Sequence, residues 1–308
     1  MKSIPHPIQY QGSKRNLASV ILQYVPKDVN CLIEPFSGSA AISIAVAARQ
    51  MAKSYLINDL NKPLAELLRL IVEFPIETAS FYEAVWNEQH SDSIEHYYRV
   101  REDFNRTQDP RLFLYLLARC VKGSVRYNSD GMFNQSPDKR RFGTQPKTMR
   151  ANIFGVSALL KKKSEFLSLD YRDILVKANT TDLVYMDPPY QGVCGERDSR
   201  YFSGIYHGDF VSALEELNSR EIPYIVSYDG RRGDKTFGEL LPASLDLTRV
   251  ELEAGRSSQA TLLGRDEVTY ESLYLSYALT NKLTHKPTDH RLPKPQQYAL
   301  FEAAAHYV

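Results

Sequence analysis

Asp187-Pro188-Pro189-Tyr190 is where this sequence concentrates its chemistry. The four residues follow Asp182-Leu183-Val184-Tyr185-Met186, an apolar run of strand character. Two successive prolines fix φ and bring no backbone N–H, so their carbonyls stand as acceptors in a stiff turn. The product is a rigid projection carrying a carboxylate, carbonyl oxygens and an aromatic ring. That set suits an aromatic amine: Asp187 and the Pro188 carbonyl accept from the amino hydrogens while Tyr190 stacks on the ring. Such an amine is a poor nucleophile, because its lone pair is delocalised. Acceptors that favour a tetrahedral nitrogen also stabilise the positive charge that develops on attack. Adenine N6 and cytosine N4 share this need, so the four residues leave that choice open, and also the choice between DNA and RNA. Taken alone they would also serve, less often, as a strand-to-loop turn in which Asp187 caps a backbone group.

A second constellation lies near the N-terminus. Glu34-Pro35-Phe36-Ser37-Gly38-Ser39 separates a short apolar run from a helix-like one, and Asp59 closes the next apolar run. Gly38 permits a tight turn and close backbone approach at a helix N-terminus, a place that favours a carboxylate. Asp59 follows about twenty residues later, near the spacing at which an acid accepts ribose hydroxyl hydrogens. No complete G-x-G-x-x-G is present, and many strand-to-helix turns hold a glycine without binding anything.

The elements that must position these groups read as an α/β chain. Ile8 to Arg15 is a polar loop, Asn16 to Tyr24 a helix ended by Pro26, and Cys31 to Glu34 a strand. Ala40 to Gln50 is a buried helix and Tyr55 to Ile57 a second strand closed by Asn58-Asp59. This is the opening of a doubly wound sheet, in which ligands collect at the carboxyl ends of the strands. From Pro63 to Leu117 the pattern turns helical, with Leu64, Leu67, Leu68 and Ile71 at helix spacing. Asn128 to about Arg150 is turn-rich, and a helix follows over Ile153 to Lys163. Strands resume at Asp182 to Met186 and Tyr224 to Ser227. An antiparallel pair closes the pattern at Leu245 to Glu251 and Val268 to Tyr277. The fold class is therefore α/β: a Rossmann-like, mostly parallel sheet with a C-terminal antiparallel strand pair and a helical, loop-rich insertion.

Composition narrows the function classes. In 308 residues, 43% are hydrophobic and 24% charged, as in ordinary globular proteins. No apolar run nears the roughly eighteen residues of a membrane span, and the N-terminus lacks the apolar core of a secretory signal. Cys31, Cys120 and Cys194 are odd in number and widely spaced, which predicts reduced thiols in a cytoplasm and no metal site. Net charge is only +1, but eight Lys or Arg stand against two Asp between Arg119 and Arg150. A basic block of this kind either tracks a phosphate backbone or is a solvated loop.

In their order, these segments resemble the Dam-like, D12-class family of DNA adenine methyltransferases. Tyr10-Gln11-Gly12-Ser13-Lys14-Arg15 is similar to its aromatic-x-Gly-x-Lys segment, Glu34 to Gly38 to its E-P-F-x-G, and Asn58-Asp59 to its ribose acid. Asp187 to Tyr190 matches the D-P-P-Y motif, and Arg126 to Asn134 its R-x-N-x-x-G-x-F-N stretch. Arg256-Ser257-Ser258 and Asp266-Glu267-Val268 resemble its C-terminal strands. The likeness runs from about Ile8 to Tyr277. It implies methyl transfer from S-adenosylmethionine, with no metal, to N6 of an adenine flipped out of duplex DNA. Asp187, Pro188 and Tyr190 would be catalytic. Tyr10, Phe36, Gly38, Asp59 and Tyr171 would contact the cofactor together with Asp187, and Lys14 would lie near the methionyl carboxylate. Lys122, Arg126, Asn128, Lys139, Arg140 and Arg141 would approach DNA, although Asn128 would also serve as the turn residue before Gly131. Residues 1–62 and 151–280 would form the catalytic domain, 63–150 the target-recognition domain and 281–308 a flexible tail.

The sequence departs from the family pattern where a target is chosen. Pro137 to Phe142 is longer and more basic, and Lys122 replaces a small polar residue, so no target sequence is transferred. In the tail, Gln297-Tyr298-Ala299-Leu300-Phe301 resembles the Q-x-x-L-F peptide that docks bacterial proteins on the sliding clamp; five-residue patterns arise easily by chance, and an amphipathic segment packing on its own domain is the favoured reading of those letters. Three other functions share parts of the pattern: an RNA adenine methyltransferase, a cytosine-N4 methyltransferase, and a non-catalytic DNA-binding module. Intact Lys14, Gly38, Asp59 and Asp187 argue against the last.

Overall fold

The central strands of this chain are apolar on both faces, which requires layers on both sides. In the computed structural model, which describes residues 4–90, 92–189, 205–232, 235–237, 240–256 and 268–283, that is the arrangement. Strands β1 (Val29–Glu34), β2 (Ala52–Asn58), β3 (Ser164–Leu167), β4 (Leu183–Met186) and β5 (Tyr224–Arg232) are parallel. β6 (Lys235–Phe237), β7 (Thr248–Arg256) and β8 (Val268–Leu275) add antiparallel pairs, giving the order β3-β2-β1-β4-β5-β8-β7 with β6 on β5. The strand order reverses between β1 and β4, so a crevice opens beyond their carboxyl ends.

Side-chain alternation divides the core in two. Leu183 and Tyr185 join a cluster with helices α2 (Ala41–Ala48), α3 (Lys62–Glu73) and α7 (Pro146–Leu160). Val184 and Met186 point the other way, into a cluster with α8 (Tyr171–Leu175) and α9 (His207–Ser219). The first cluster continues without interruption into α4 (Pro75–Glu88), α5 (Ser93–Thr107) and α6 (Pro110–Arg119). Residues 63–150 therefore share their core with the sheet, and α7 runs across position 150.

Several elements differ from expectation. The helix expected over Asn16 to Tyr24 is three short pieces: a 3-10 turn at Lys14–Asn16, α1 (Ala18–Ile21) and a second 3-10 turn at Leu22–Tyr24. α7 begins at Pro146, inside the stretch read as turn-rich, because Pro at the first helical position costs no hydrogen bond. β3 is an unexpected strand; its four residues are too few to show alternation, and pairing with β2 creates it. Among the described residues no helix is long and apolar enough to cross a membrane.

Candidate active site

The site grows from four loops at the carboxyl ends of adjacent strands. At the end of β1, Glu34 turns back under the chain and accepts the Ser43 amide in the first turn of α2 at 3.0 Å. Burial pushes its carboxyl up to about 7 against that hydrogen bond. The chain then turns through Gly38, whose φ of +50 suits glycine, and a Cβ there would lie 3.0 Å from the Tyr10 ring. Gly38 is thus required by both the backbone and the close approach of Tyr10.

At the end of β2, Asp59 accepts the amides of Gly38 and Asn61, each at 2.9 Å. Desolvation raises its pKa despite these donors. Buried Asn58, its neighbour, donates to the Pro35 carbonyl at 2.9 Å and to the Leu169 carbonyl at 3.0 Å, and accepts the Leu169 amide at 2.9 Å. One side chain therefore ties together the loops after β1, β2 and β3. Those loops bring the Phe36 and Tyr171 rings together, tilted by 36° with centroids 5.2 Å apart, and Phe210 of α9 lies 6.1 Å from Tyr171.

At the end of β4, Asp187 stands 2.9 Å from the Lys14 ammonium. Lys14 is buried and also reaches Glu271 of β8 at 3.3 Å. Burial pushes the Asp187 carboxyl up to about 6, with Glu271 raising it further and Lys14 opposing. The ammonium expected near a bound carboxylate group thus rests on Asp187.

These loops enclose a cavity of about 400 Å³, within the range of small-molecule sites. Every expected cofactor residue lines it: Tyr10, Lys14, Phe36, Gly38, Asp59, Tyr171 and Asp187, with Pro188 beside them. Tyr190 lies outside the described residues, as do Ser257, Ser258, Asp266, Glu267, Cys194 and the segment Gln297–Phe301. The contacts by which Glu271, Asn58, Asn61 and Tyr127 shape the site emerge only from the structure. Asn61 donates to the Tyr127 hydroxyl at 3.0 Å, which carries the lining of the cavity into residues 119–138.

The profile of the D12 class N6 adenine-specific DNA methyltransferases matches residues 10–256, most of the chain and all four of these loops. The chain belongs to this family. It is similar to the DNA adenine methylase of Salmonella typhi, 27% identical over 231 residues covering 71% of this chain and 79% of that protein. The DNA adenine methylase of Escherichia coli strain K12 is 26% identical with the same coverage. The Retron Ec67 DNA adenine methylase of Escherichia coli is 29% identical over 238 residues, 71% of this chain and 75% of that one. Membership makes the chain an adenine-specific DNA methyltransferase, and so selects between the bases that Asp187 to Tyr190 left open.

In this methyltransferase residues 119–138 form a hairpin beside the cavity. Its arms are joined by hydrogen bonds from Asp138 to Arg119, Val121 to Ser136, Asn134 to Arg126 and Asn128 to Met132. Phe133 anchors it among Phe104, Phe113 and Tyr127. Asn105 clamps the Phe133 backbone through its N–H at 2.8 Å and its carbonyl at 3.0 Å. Asn128 sits at the tip, its side-chain oxygen accepting the amides of Asp130 and Met132, so that oxygen is committed to the turn. Arg126 is exposed between Val125 and Tyr127, both of which line the cavity. Lys122 is exposed one residue before Gly123, where the hairpin meets the backbone of Gln9 and Tyr10. Lys139, Arg140 and Arg141 are exposed on a separate turn beyond the end of α6.

The basic block needs one correction. Arg119 is 1% exposed and donates to the carbonyls of Ser93, Asp138 and Arg141, so its charge holds the hairpin base together and does not face solvent. Arg150 is engaged by Glu83 at 2.8 Å.

Proposed function

We propose that this enzyme transfers a methyl group directly from S-adenosylmethionine to N6 of an adenine swung out of duplex DNA, with target choice made by residues 63–150. The observation that carries the reading is the convergence of Asp59, the Phe36–Tyr171 pair and Asp187 on one cavity at the β1/β4 crevice. The cavity fits the cofactor chemically. It offers an acid for ribose hydroxyls, aromatic rings for an adenine, and a buried Tyr171 hydroxyl with no hydrogen-bond partner among the described residues.

The cofactor, when bound, supplies an electrophilic methyl group on a sulfonium. Asp59 would orient the ribose, while Phe36 and Tyr171 would pack against the adenine moiety. Asp187 and the Pro188 carbonyl accept the amino hydrogens of the target base and draw its nitrogen toward tetrahedral geometry, stabilising the charge that develops there. The alignment of amine and methyl group supplies most of the remaining acceleration. Unstacking the adenine costs a few kcal/mol that contacts in the pocket must offset.

Two measurements test the reading. Calorimetric titration with S-adenosylmethionine should show binding that is weakened by Asp59→Ala. Labelled methyl groups should enter plasmid DNA and not ribosomal RNA; equal labelling of RNA would overturn the substrate.

A further inference from the structure

A carboxylate on an apolar strand face calls for a reason. Glu271 shares one face of β8 with Leu273 and Leu275, both buried in the core beneath the cavity. It is paired with Gly230 of β5 and Leu252 of β7, so it stands in the middle of the antiparallel part of the sheet. Its side chain is 25% exposed and reaches Lys14 at 3.3 Å, while Lys14 reaches Oδ1 of Asp187 at 2.9 Å. One buried ammonium therefore bridges two carboxylates from different strands.

We infer that Glu271 is a positioning residue for methyl transfer: by sharing the Lys14 ammonium it keeps that cation on Oδ1 and leaves Asp187 a strong acceptor for the target amine. This rests on the function proposed above. Without Glu271, the ammonium would lose one of the two carboxylates it reaches and rest more fully on Asp187. It would then neutralise the carboxylate more fully and compete with the amine for its lone pairs. The groups acting on Asp187 are Lys14 from the N-terminal turn, Glu271 from β8 and Glu34 from the end of β1. Removing Glu271 deletes a negative neighbour and strengthens the hold of Lys14. Both effects move Asp187 protonation to lower pH.

The test uses the full chain as wild type, E271Q and E271D. Single-turnover methylation of duplex DNA is followed through its acid limb, cofactor affinity is measured by calorimetry, and the ¹³C carboxyl resonance of Asp187 is titrated in the protein alone, assigned by its loss in D187N. E271Q should slow the transfer step about tenfold and leave cofactor affinity within about twofold. Both the acid limb and the Asp187 titration should move to lower pH, and E271D should recover part of the rate. An Asp187 titration that is the same in E271Q, or in E271D should E271Q not fold, overturns the inference. If the wild type places no methyl on DNA adenine, the proposed function fails, while the carboxyl titration still decides the role of Glu271.

Discussion

Asn58 and Leu169, 111 positions apart, exchange two hydrogen bonds: the Asn58 amide donates to the Leu169 carbonyl at 3.0 Å, and its oxygen accepts the Leu169 N–H at 2.9 Å. With its third bond to Pro35, this side chain sets the spacing between the loops that carry Phe36 and Tyr171. Asn58→Ala leaves buried backbone groups unpaired and should cost roughly 2–4 kcal/mol of stability. Chemical denaturation measures that loss. Calorimetry on the folded fraction should show weaker cofactor binding as well.

Gly123 carries the contact between the hairpin and the N-terminal segment. Its φ is +61, and a Cβ there would lie 2.8 Å from the Gln9 carbonyl and 2.9 Å from the Tyr10 nitrogen. Gly123→Ala must push the backbone leading to Tyr10 and Lys14 away from the cavity. A fall in cofactor affinity together with a lowered Tm is expected, and an unchanged calorimetric titration would show that the N-terminal segment adapts without consequence.

Glu34 predicts a pH dependence of stability. Its folded-state carboxyl, pushed up by burial to about 7, lies above its ordinary value, so the folded protein holds a proton that the unfolded chain releases. Stability should therefore be highest below the unfolded value and decline as pH rises toward about 7, by roughly 3 kcal/mol for a shift of this size. Glu34→Gln should flatten that part of the profile; an undiminished slope in denaturant melts taken across this range would contradict the assignment.

Arg119 and its exposed neighbours should separate cleanly. Arg119→Ala removes the cation beneath the hairpin and should lower Tm. Lys139→Ala and Arg140→Ala should leave Tm unchanged and each reduce the slope of log binding constant against log salt by about 1 where the side chain meets a phosphate. Equal slopes in wild type and variants would place that turn away from DNA.

The parts of this site that lie in one stretch of chain were legible before folding. Asp187 and Pro188 announce themselves as a stiff acceptor turn, and Gly38 with Asp59 follows from the strand–turn–helix–strand pattern. Tyr171 came from resemblance alone, with no local signal. Asn58, Asn61 and Tyr127 could not be read, because their roles exist only between segments brought together by the sheet. Glu271 left a trace: on a strand whose alternating positions 273 and 275 are leucines, an acid on the same face implies a buried cation. Nothing in the sequence points from there to Lys14. Arg119 misled for the opposite reason, since a charge run shows the count of cations and not which of them turn inward. β3 was missed because four residues have no periodicity until a neighbouring strand supplies it.

The most direct test of the account is nucleoside analysis of duplex DNA treated with wild-type enzyme and with Asp187→Ala. Folding of the variant is checked by its Tm, and cofactor binding by calorimetry. The wild type should yield N6-methyladenine, and the variant none while it stays folded, because Asp187 ends a strand and is not part of the hydrophobic core. Methyl groups on cytosine N4, or undiminished N6-methyladenine from a folded Asp187→Ala protein, would contradict it.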